Sequence, residues 1–204
     1  MNNNIIKIKI GAVFGIFIFS FIAHFMYSIF PCRFISFFFP VNESIFEHMK
    51  IIYTSTLLYG IIDYYMLKIS FIKTHNFLLQ LFLTSFLSIL FYLVLYLPIR
   101  YFFGENFSVS IVLLFVVYSV MQCLSLYLLL QSKYPISRQF IIFLIIVIYF
   151  LFVFFTYHPI HNMLFYDTHT KSYGIPVKRY SITYPSTNLM AASAVCSACS
   201  YCPL

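Results

Sequence analysis

The sequence predicts an all-α fold, a polytopic transmembrane helical bundle of about five spans. Hydrophobic residues make up 62% of the 204 positions and charged residues only 8%, whereas soluble domains are about 45–50% apolar. The mean hydropathy is +0.94. A polar shell cannot cover so much apolar surface on a chain of this length, so the solvent around the fold must be lipid. Long apolar runs separated by short polar connectors agree with this conclusion.

Each predicted span is an apolar run long enough to cross a membrane, since about 20 helical residues traverse the hydrocarbon core. The runs lie near residues 10–30, 45–68, 77–97, 107–131 and 139–157. They form a predicted transmembrane domain over residues 1–176. The remaining residues, 177–204, form a tail that becomes small and polar with three cysteines from Ala191, and we expect this tail to be poorly ordered.

Local signals set the boundaries of the spans. Lys7 and Lys9 precede the first span, which is too long for the apolar part of a signal peptide and lacks a small-residue cleavage site, so we expect it to be retained. Ser44-Ile45-Phe46-Glu47 has the pattern of a capping box and starts the second span. Pro98 ends the third span, a turn at 104–106 precedes the fourth, and a short basic loop precedes the fifth.

The net charge of +7 is dispersed at the ends of apolar runs. This pattern is typical of contact with anionic lipid headgroups, so the lipid bilayer is the predicted partner and nucleic acid is not. Protein partners stay open. The distribution of Lys and Arg favours a cytoplasmic N-terminus only slightly. The sequence contains no nucleotide-binding loop, nucleophile elbow or cofactor fingerprint.

The densest polar cluster lies between the first two spans, in the segment Pro40–Lys50. An odd number of crossings places the C-terminal segment on the same side of the membrane as this cluster. Five of the six histidines and three of the five acidic residues can then meet at one membrane face: His24, His48, His158, His161, His169, Glu43, Glu47 and Asp167. The sequence therefore predicts one polar site assembled from distant parts of the chain.

Imidazole and carboxylate groups are ligands of zinc and similar divalent ions. The predicted metal ligands are His24, His48, His158, His161 and Asp167. Three of them with a water would make an open, Lewis-acidic site. The predicted catalytic residues are Glu43 and Glu47, four residues apart on one helix face, so that one can bind the metal while the other acts as a general base. The cofactor is left open, with a divalent metal such as zinc as the candidate.

Each of these residues also has a structural interpretation. A capping box accounts for Glu47 without catalysis, and the neighbouring polar groups at the interface can be headgroup contacts. His24 lies inside a span, where an ionisable group is costly and needs a partner; a hydrogen bond to a neighbouring helix would suffice. His158 and His161 flank a proline, which lacks a backbone N–H, so their spacing alone is a weak signal.

Two further features are kept apart from this site. Asp63, near the far end of the second span, is expected to pair with a basic residue or to face the bundle interior. Cys196, Cys199 and Cys202 have the close spacing of metal ligands, but three thiols without a nearby histidine do not complete a four-ligand zinc site. Iron–sulfur, palmitoylation and disulfide roles stay open for these cysteines.

The pattern Pro40-x-Asn42-Glu43-Ser44-x-x-Glu47-His48-x-Lys50, preceded by a histidine inside a span, resembles an uncharacterised family of small multi-pass bacterial membrane proteins, grouped as a domain of unknown function. The late segments Leu164-Phe165-x-Asp167 and Tyr173-Gly174-Ile175 belong to the same resemblance, which covers about residues 5–176. It implies about five helices, a bacterial plasma membrane and no established activity. Thr168, where the family pattern predicts proline, and the stretch from about Lys178 depart from it.

Three functions are compatible with the sequence. The first is an integral multi-pass membrane protein of unknown role, whose polar His/Glu/Asp cluster is structural or binds a partner or a lipid headgroup. The second is an intramembrane metal-dependent hydrolase. The third is a proton-coupled carrier using His24 and Glu47, for which the sequence shows neither an internal repeat nor paired broken helices.

Overall fold

The computed structural model describes residues 3–72 and 74–175, and these residues are mostly helical. The helices are α1 (Asn3–Ile29), α2 (Arg33–Phe38), α3 (Ile45–Ile69), α4 (Phe77–Phe103), α5 (Phe107–Leu130) and α6 (Arg138–Tyr157). A short antiparallel hairpin of β1 (Tyr166–Asp167) and β2 (Ser172–Tyr173) follows α6. The predicted all-α bundle is confirmed. The predicted tail at 177–204, with its three cysteines, lies outside the described residues.

Four helices in the described part of the chain, α1, α4, α5 and α6, are long and apolar enough to cross a membrane. The second predicted span, 45–68, corresponds to α3, which has 25 residues but contains more charged side chains. Asp63 near the end of α3 pairs with Lys9, and the His48 ring near its start lies 5.7 Å from the His24 ring, centroid to centroid. Because these contacts lie at opposite ends of α1, α3 runs antiparallel to α1 and spans the same thickness.

α3 tolerates its polar residues because it is the most enclosed of the long helices. Thirteen of its 25 residues are buried, against three of 20 in α6. Two glycines allow its neighbours to approach closely, as small residues do in membrane bundles. A Cβ added at Gly15 of α1 would lie 2.0 Å from the Tyr59 ring, and one at Gly60 would lie 2.5 Å from Leu81 of α4.

The remaining helices pack against α1 and α3, and α1 keeps an exposed apolar face that includes Ile18 and Ile22. α5 packs beside α4 and beside α1, where the Tyr118 hydroxyl lies 2.6 Å from the Ser20 hydroxyl. α6 packs its Phe152 ring against Tyr53 of α3, with centroids 5.6 Å apart. The outer face of α6 exposes large apolar side chains, including that of Phe143. In a membrane this face meets the hydrocarbon.

Two helices extend beyond the predicted spans. α1 begins at Asn3 and not near residue 10, so Lys9 lies inside the helix and is buried, where Asp63 neutralises it. α4 continues through Pro98 to Phe103; membrane helices tolerate an internal proline because other groups satisfy the freed backbone. The chain between the first two predicted spans contains the short helix α2, whose six residues have no side-chain cap and so give no sequence signal for a helix.

The ion pair between Lys9 and Asp63 joins α1 to α3, and both side chains are at most 5% exposed. We expect Asp63→Ala to lower the free energy of unfolding by about 3–5 kcal/mol, because Lys9 is then left buried without a counter-charge. Equilibrium unfolding in detergent micelles, followed by circular dichroism, measures this change.

Two further variants separate charge pairing from general disruption. Lys9→Met combined with Asp63→Leu removes both charges, and we expect it to recover most of the lost stability. Lys68→Met removes an exposed charge from the same end of α3 and should leave stability close to the wild-type value. A double variant as unstable as Asp63→Ala would rule out the unpaired charge as the cause.

Candidate metal centre

The residues around the start of α3 have defined backbone partners. The Ser44 hydroxyl accepts a hydrogen bond from the N–H of Glu47 at 3.4 Å, which is the N-cap that the capping box predicts. The other half of the box differs from the prediction. The Glu47 carboxylate accepts from the N–H of Val41 at 3.2 Å, and the N–H of Ser44 donates to Asn42 Oδ1 at 2.9 Å. The chain is thereby fixed for several residues before the helix begins.

The C-terminal hairpin docks on this helix start. Asn42 Nδ2 donates to the carbonyl of Gly174 at 2.7 Å, and the N–H of Phe46 donates to the carbonyl of Leu164 at 2.9 Å. The rings of Phe46 and Phe165 stack with their centroids 4.4 Å apart. The segment after α6 and the segment before α3 therefore lie at the same end of the bundle, as an odd number of crossings predicts.

Three predicted site residues meet at this end: His24 of α1, Glu43 before α3 and His48 of α3. His24 Nε2 lies 3.4 Å from Glu43 Oε1, and His48 Nε2 lies 3.7 Å from Glu43 Oε2. One ligand atom from each residue lies within 4.8 Å of the other two. Two ligands of tetrahedral zinc, each about 2.0–2.1 Å from the ion, lie about 3.3 Å apart. The cluster therefore has the ligand types of a zinc site and nearly its dimensions.

A hydrogen bond to the backbone orients the second of these histidines. His48 Nδ1 lies 2.9 Å from the carbonyl oxygen of Ser44. A carbonyl can only accept, so Nδ1 carries the proton and, in the neutral ring, Nε2 presents its lone pair toward Glu43. Metal-binding histidines commonly donate their second nitrogen to a carbonyl in this way.

A cavity of about 440 Å³ lies beside the three residues, between α1, α3, α4 and α5. This volume is within the range of about 300–1,000 Å³ that is typical of ligand sites. Arg100 of α4 and Glu105 of the following turn form an ion pair and also line the cavity. Sequence reasoning assigns Arg100 only to the end of a span and Glu105 only to a turn. Their pairing across that turn is the signal that could have identified them.

Glu47, the other predicted catalytic carboxylate, does not line the cavity and forms a buried ion pair. Its Oε2 lies 2.6 Å from Lys50 Nζ, and its Oε1 accepts from the Thr156 hydroxyl at 2.8 Å. Lys50 also donates to that hydroxyl at 2.8 Å and to the carbonyl of Ser36 at 3.0 Å. These bonds join α2, α3 and α6, so Glu47 stabilises the packing of three helices.

Asp167, a predicted ligand, is fully buried and organises the hairpin. Its carboxylate accepts from the Thr170 hydroxyl at 2.7 Å and from the N–H groups of His169, Thr170 and Glu43 at 2.8–3.3 Å. Burial raises the pKa of Asp167, but these hydrogen bonds outweigh burial and hold the pKa below its usual value. The hydrogen bond from the Glu43 N–H to Asp167 fixes the backbone of Glu43, whose side chain lies between His24 and His48.

The last two predicted ligands lie apart from the three-residue cluster. The His158 ring contacts Phe154 at the end of α6, and the His161 ring lies 4.7 Å from that of Tyr173, centroid to centroid. His169, by contrast, lines the cavity, although the sequence places it only near the predicted site. The metal-binding and catalytic roles of all these residues stay predictions.

The fold and its polar end define the class of protein: an integral, multi-pass helical membrane protein with histidine and carboxylate groups gathered at one end. Within that class, the chain belongs to the Family of unknown function (DUF6512), whose family model matches residues 1–175. The predicted membership of a family without an established activity is confirmed. No curated protein and no solved structure matches the chain significantly.

Loss of the negative charge should change the stability of the protein differently at Glu43 and at Glu47. Glu47→Gln leaves Lys50 buried beside a neutral partner, so we expect the free energy of unfolding to fall by about 3 kcal/mol. Glu43→Gln changes a side chain that is 42% exposed and should leave stability nearly unchanged. Equilibrium unfolding of both variants in detergent micelles measures the difference.

A charge-free pair is the matched control for this comparison. Glu47→Leu combined with Lys50→Met removes both buried charges, and we expect it to be more stable than Glu47→Gln alone. Equal stability of the two single variants would contradict the structural role of Glu47.

Proposed function

We propose that the protein is a divalent-metal-dependent hydrolase of a bacterial plasma membrane, with zinc held by His24, Glu43 and His48. The observation that carries this proposal is the convergence of three ligand atoms beside a cavity of ligand size. The lipid bilayer is the proposed surrounding partner. The nearby carboxylates of Glu47 and Asp167 are already bound to Lys50 and Thr170. Glu43 is therefore the carboxylate that remains available to a metal beside the two histidines.

The donor set fits zinc in a catalytic rather than a structural site. Structural zinc sites use four protein ligands, whereas catalytic sites use three and leave one position for water or substrate. Two imidazoles and one carboxylate from this chain make such a set of three. A zinc ion bound here would act as a Lewis acid and lower the pKa of a coordinated water. The free position would face the cavity that the same residues line.

Other side chains that line the cavity can carry out proton transfer and substrate binding. In hydrolysis, the oxygen of water forms a bond to the electrophilic carbon or phosphorus. The bond to the leaving oxygen or nitrogen breaks, and this leaving atom takes up a proton from the attacking water. Glu47 is paired with Lys50 and Glu105 with Arg100, so we assign the movement of this proton to His169, which also lines the cavity. Arg100 can donate to an anionic group of the substrate.

Zinc binding tests the site directly. Detergent-purified protein that is stripped with a chelator and dialysed against zinc should retain about one ion per chain, measured by inductively coupled plasma mass spectrometry. His48→Ala should weaken binding by more than about 100-fold, because loss of even an outer-shell partner costs about 10–100-fold.

His158→Ala is the matched control, since it removes a histidine from the same end of the bundle but outside the cluster. It should bind zinc as tightly as the wild type. A wild-type protein that binds no zinc, with His48→Ala merely less stable, would favour a purely structural cluster.

Turnover tests the chemistry. The zinc-loaded protein should hydrolyse at least one of three chromogenic probes: p-nitrophenyl acetate, p-nitrophenyl phosphate or alanine p-nitroanilide. His24→Ala should reduce the rate to the uncatalysed level because it removes a metal ligand, and His161→Ala should retain the wild-type rate. Turnover that survives His24→Ala would contradict the proposal, and zinc binding without any turnover would restrict the site to metal binding.

A further inference from the structure

We infer that the cavity binds the acyl chain of one amphiphile, whose polar head lies at His24, Glu43 and His48. This inference rests on the proposed metal site and names the class of its substrate. It follows from the depth of the cavity, the order of its lining groups and its position relative to lipid.

The cavity extends from the polar end of the bundle into the membrane-spanning region. On α4 its lining runs from Arg100 to Tyr92, eight residues or roughly 12 Å along a helix. On α5 it runs from Phe107 to Leu114, roughly 10 Å, and on α1 it reaches Ser20. A headgroup alone does not need this depth, whereas a hydrocarbon chain does.

The charged lining groups are confined to one end of that depth, while the deeper part is lined by aliphatic side chains together with Ser20 and Tyr92. The charged groups lie near the ends of their helices, and the deeper wall on α3 consists of Ile51 and Ile52, which are 5% and 1% exposed. Leu114 of α5 faces the same space. An acyl chain that moves from lipid to such a wall gains little, because lipid tails are as apolar as these side chains. Selective binding must therefore come from the polar head.

Exposed aromatic side chains connect the cavity to the hydrocarbon around the protein. Phe21 and Phe25 of α1 line the cavity and are 36% and 54% exposed. Because exposed side chains on this part of a membrane-spanning helix meet lipid, an acyl chain can enter sideways from the bilayer. Its head then stays at the polar end, close to the metal ligands.

The polar end offers one permanently cationic lining side chain, Arg100, which is paired with Glu105 and has further donors for an ester, carboxylate or phosphate head. Arg100 lines the cavity and its side chain is only 12% exposed. A guanidinium binds carboxylate and phosphate oxygens through paired donors, and zinc would bind an oxygen of the same head. We therefore take a fatty acid as the probe, since it has both the chain and an oxygen-rich head.

A single introduced tryptophan reports on occupancy, because the chain has none of its own. Tyr96→Trp places the indole in the cavity wall, and Val94→Trp places it on the lipid-facing side of the same helix, at a position 68% exposed. Each zinc-loaded variant, in phosphatidylcholine nanodiscs, is titrated with a dibrominated stearic acid that quenches indole fluorescence. We expect saturable quenching for Tyr96→Trp and quenching proportional to dose for Val94→Trp.

Three controls define what occupies the cavity. Removal of zinc should raise the half-saturating dose at least about tenfold, equivalent to 1.4 kcal/mol. Leu114→Phe, added to Tyr96→Trp, should weaken the saturable component by narrowing the deep part of the cavity, while the zinc content stays unchanged. Bromopropionic acid has the carboxylate but no long chain to concentrate it in the bilayer, so it should give no saturable quenching at the same dose.

Zinc content, measured on the same samples, separates the two hypotheses. Proportional quenching at both positions with zinc bound overturns the acyl-chain inference and leaves the metal site standing. Absence of zinc contradicts the proposed function, and saturable quenching that is independent of zinc overturns the placement of the head. If Tyr96→Trp does not fold, Phe107→Trp at the cavity mouth, 73% exposed, replaces it as the reporter.

Discussion

The buried ion pair between Glu47 and Lys50 is the constraint on which the polar end of the bundle depends. Lys50 has no exposed surface, and an ammonium group in such a place needs a counter-charge and several acceptors. It finds them in Glu47, in the Thr156 hydroxyl of α6 and in the carbonyl of Ser36 in α2. These bonds fix where α3 starts relative to both neighbouring helices.

The position of the candidate site follows from that pair through the geometry of the helix. Successive residues of an α-helix point about 100° apart, so the residue after Glu47 must face a different neighbour. Glu47 faces α6, and His48 therefore faces His24 of α1. The short motif Asn42–Lys50 thus combines two tasks. The side chains of Glu47 and Lys50 hold the helices together, and those of Glu43 and His48 form part of the polar cluster.

Local patterns were enough to predict the class of fold but not the pairing of polar groups. Run lengths locate the five long helices, and the Ser44 cap is visible in four consecutive residues. Lys9, in contrast, resembles an ordinary flanking charge, and only Asp63, 54 residues away in the sequence, explains its burial. His158 and His24 look equivalent as ligands in the sequence. The positions and rotations of the packed helices bring His24, but not His158, close to Glu43. These positions depend on packing across the whole bundle.

The five acidic residues of the chain differ in how the described structure compensates their charge. Asp63 pairs with Lys9, Glu47 with Lys50 and Glu105 with Arg100, while Asp167 accepts four hydrogen bonds. The ion-pair partners of Glu43 in the described residues are two imidazoles, which balance its charge only when one of them is protonated. His48 Nε2 already presents a lone pair in the neutral ring, so a bound cation would compensate Glu43 without that protonation. In the described residues, Glu43 is therefore the carboxylate that is compensated neither by a permanent cation nor by a set of hydrogen-bond donors, and it lies between the two imidazoles of the proposed zinc site.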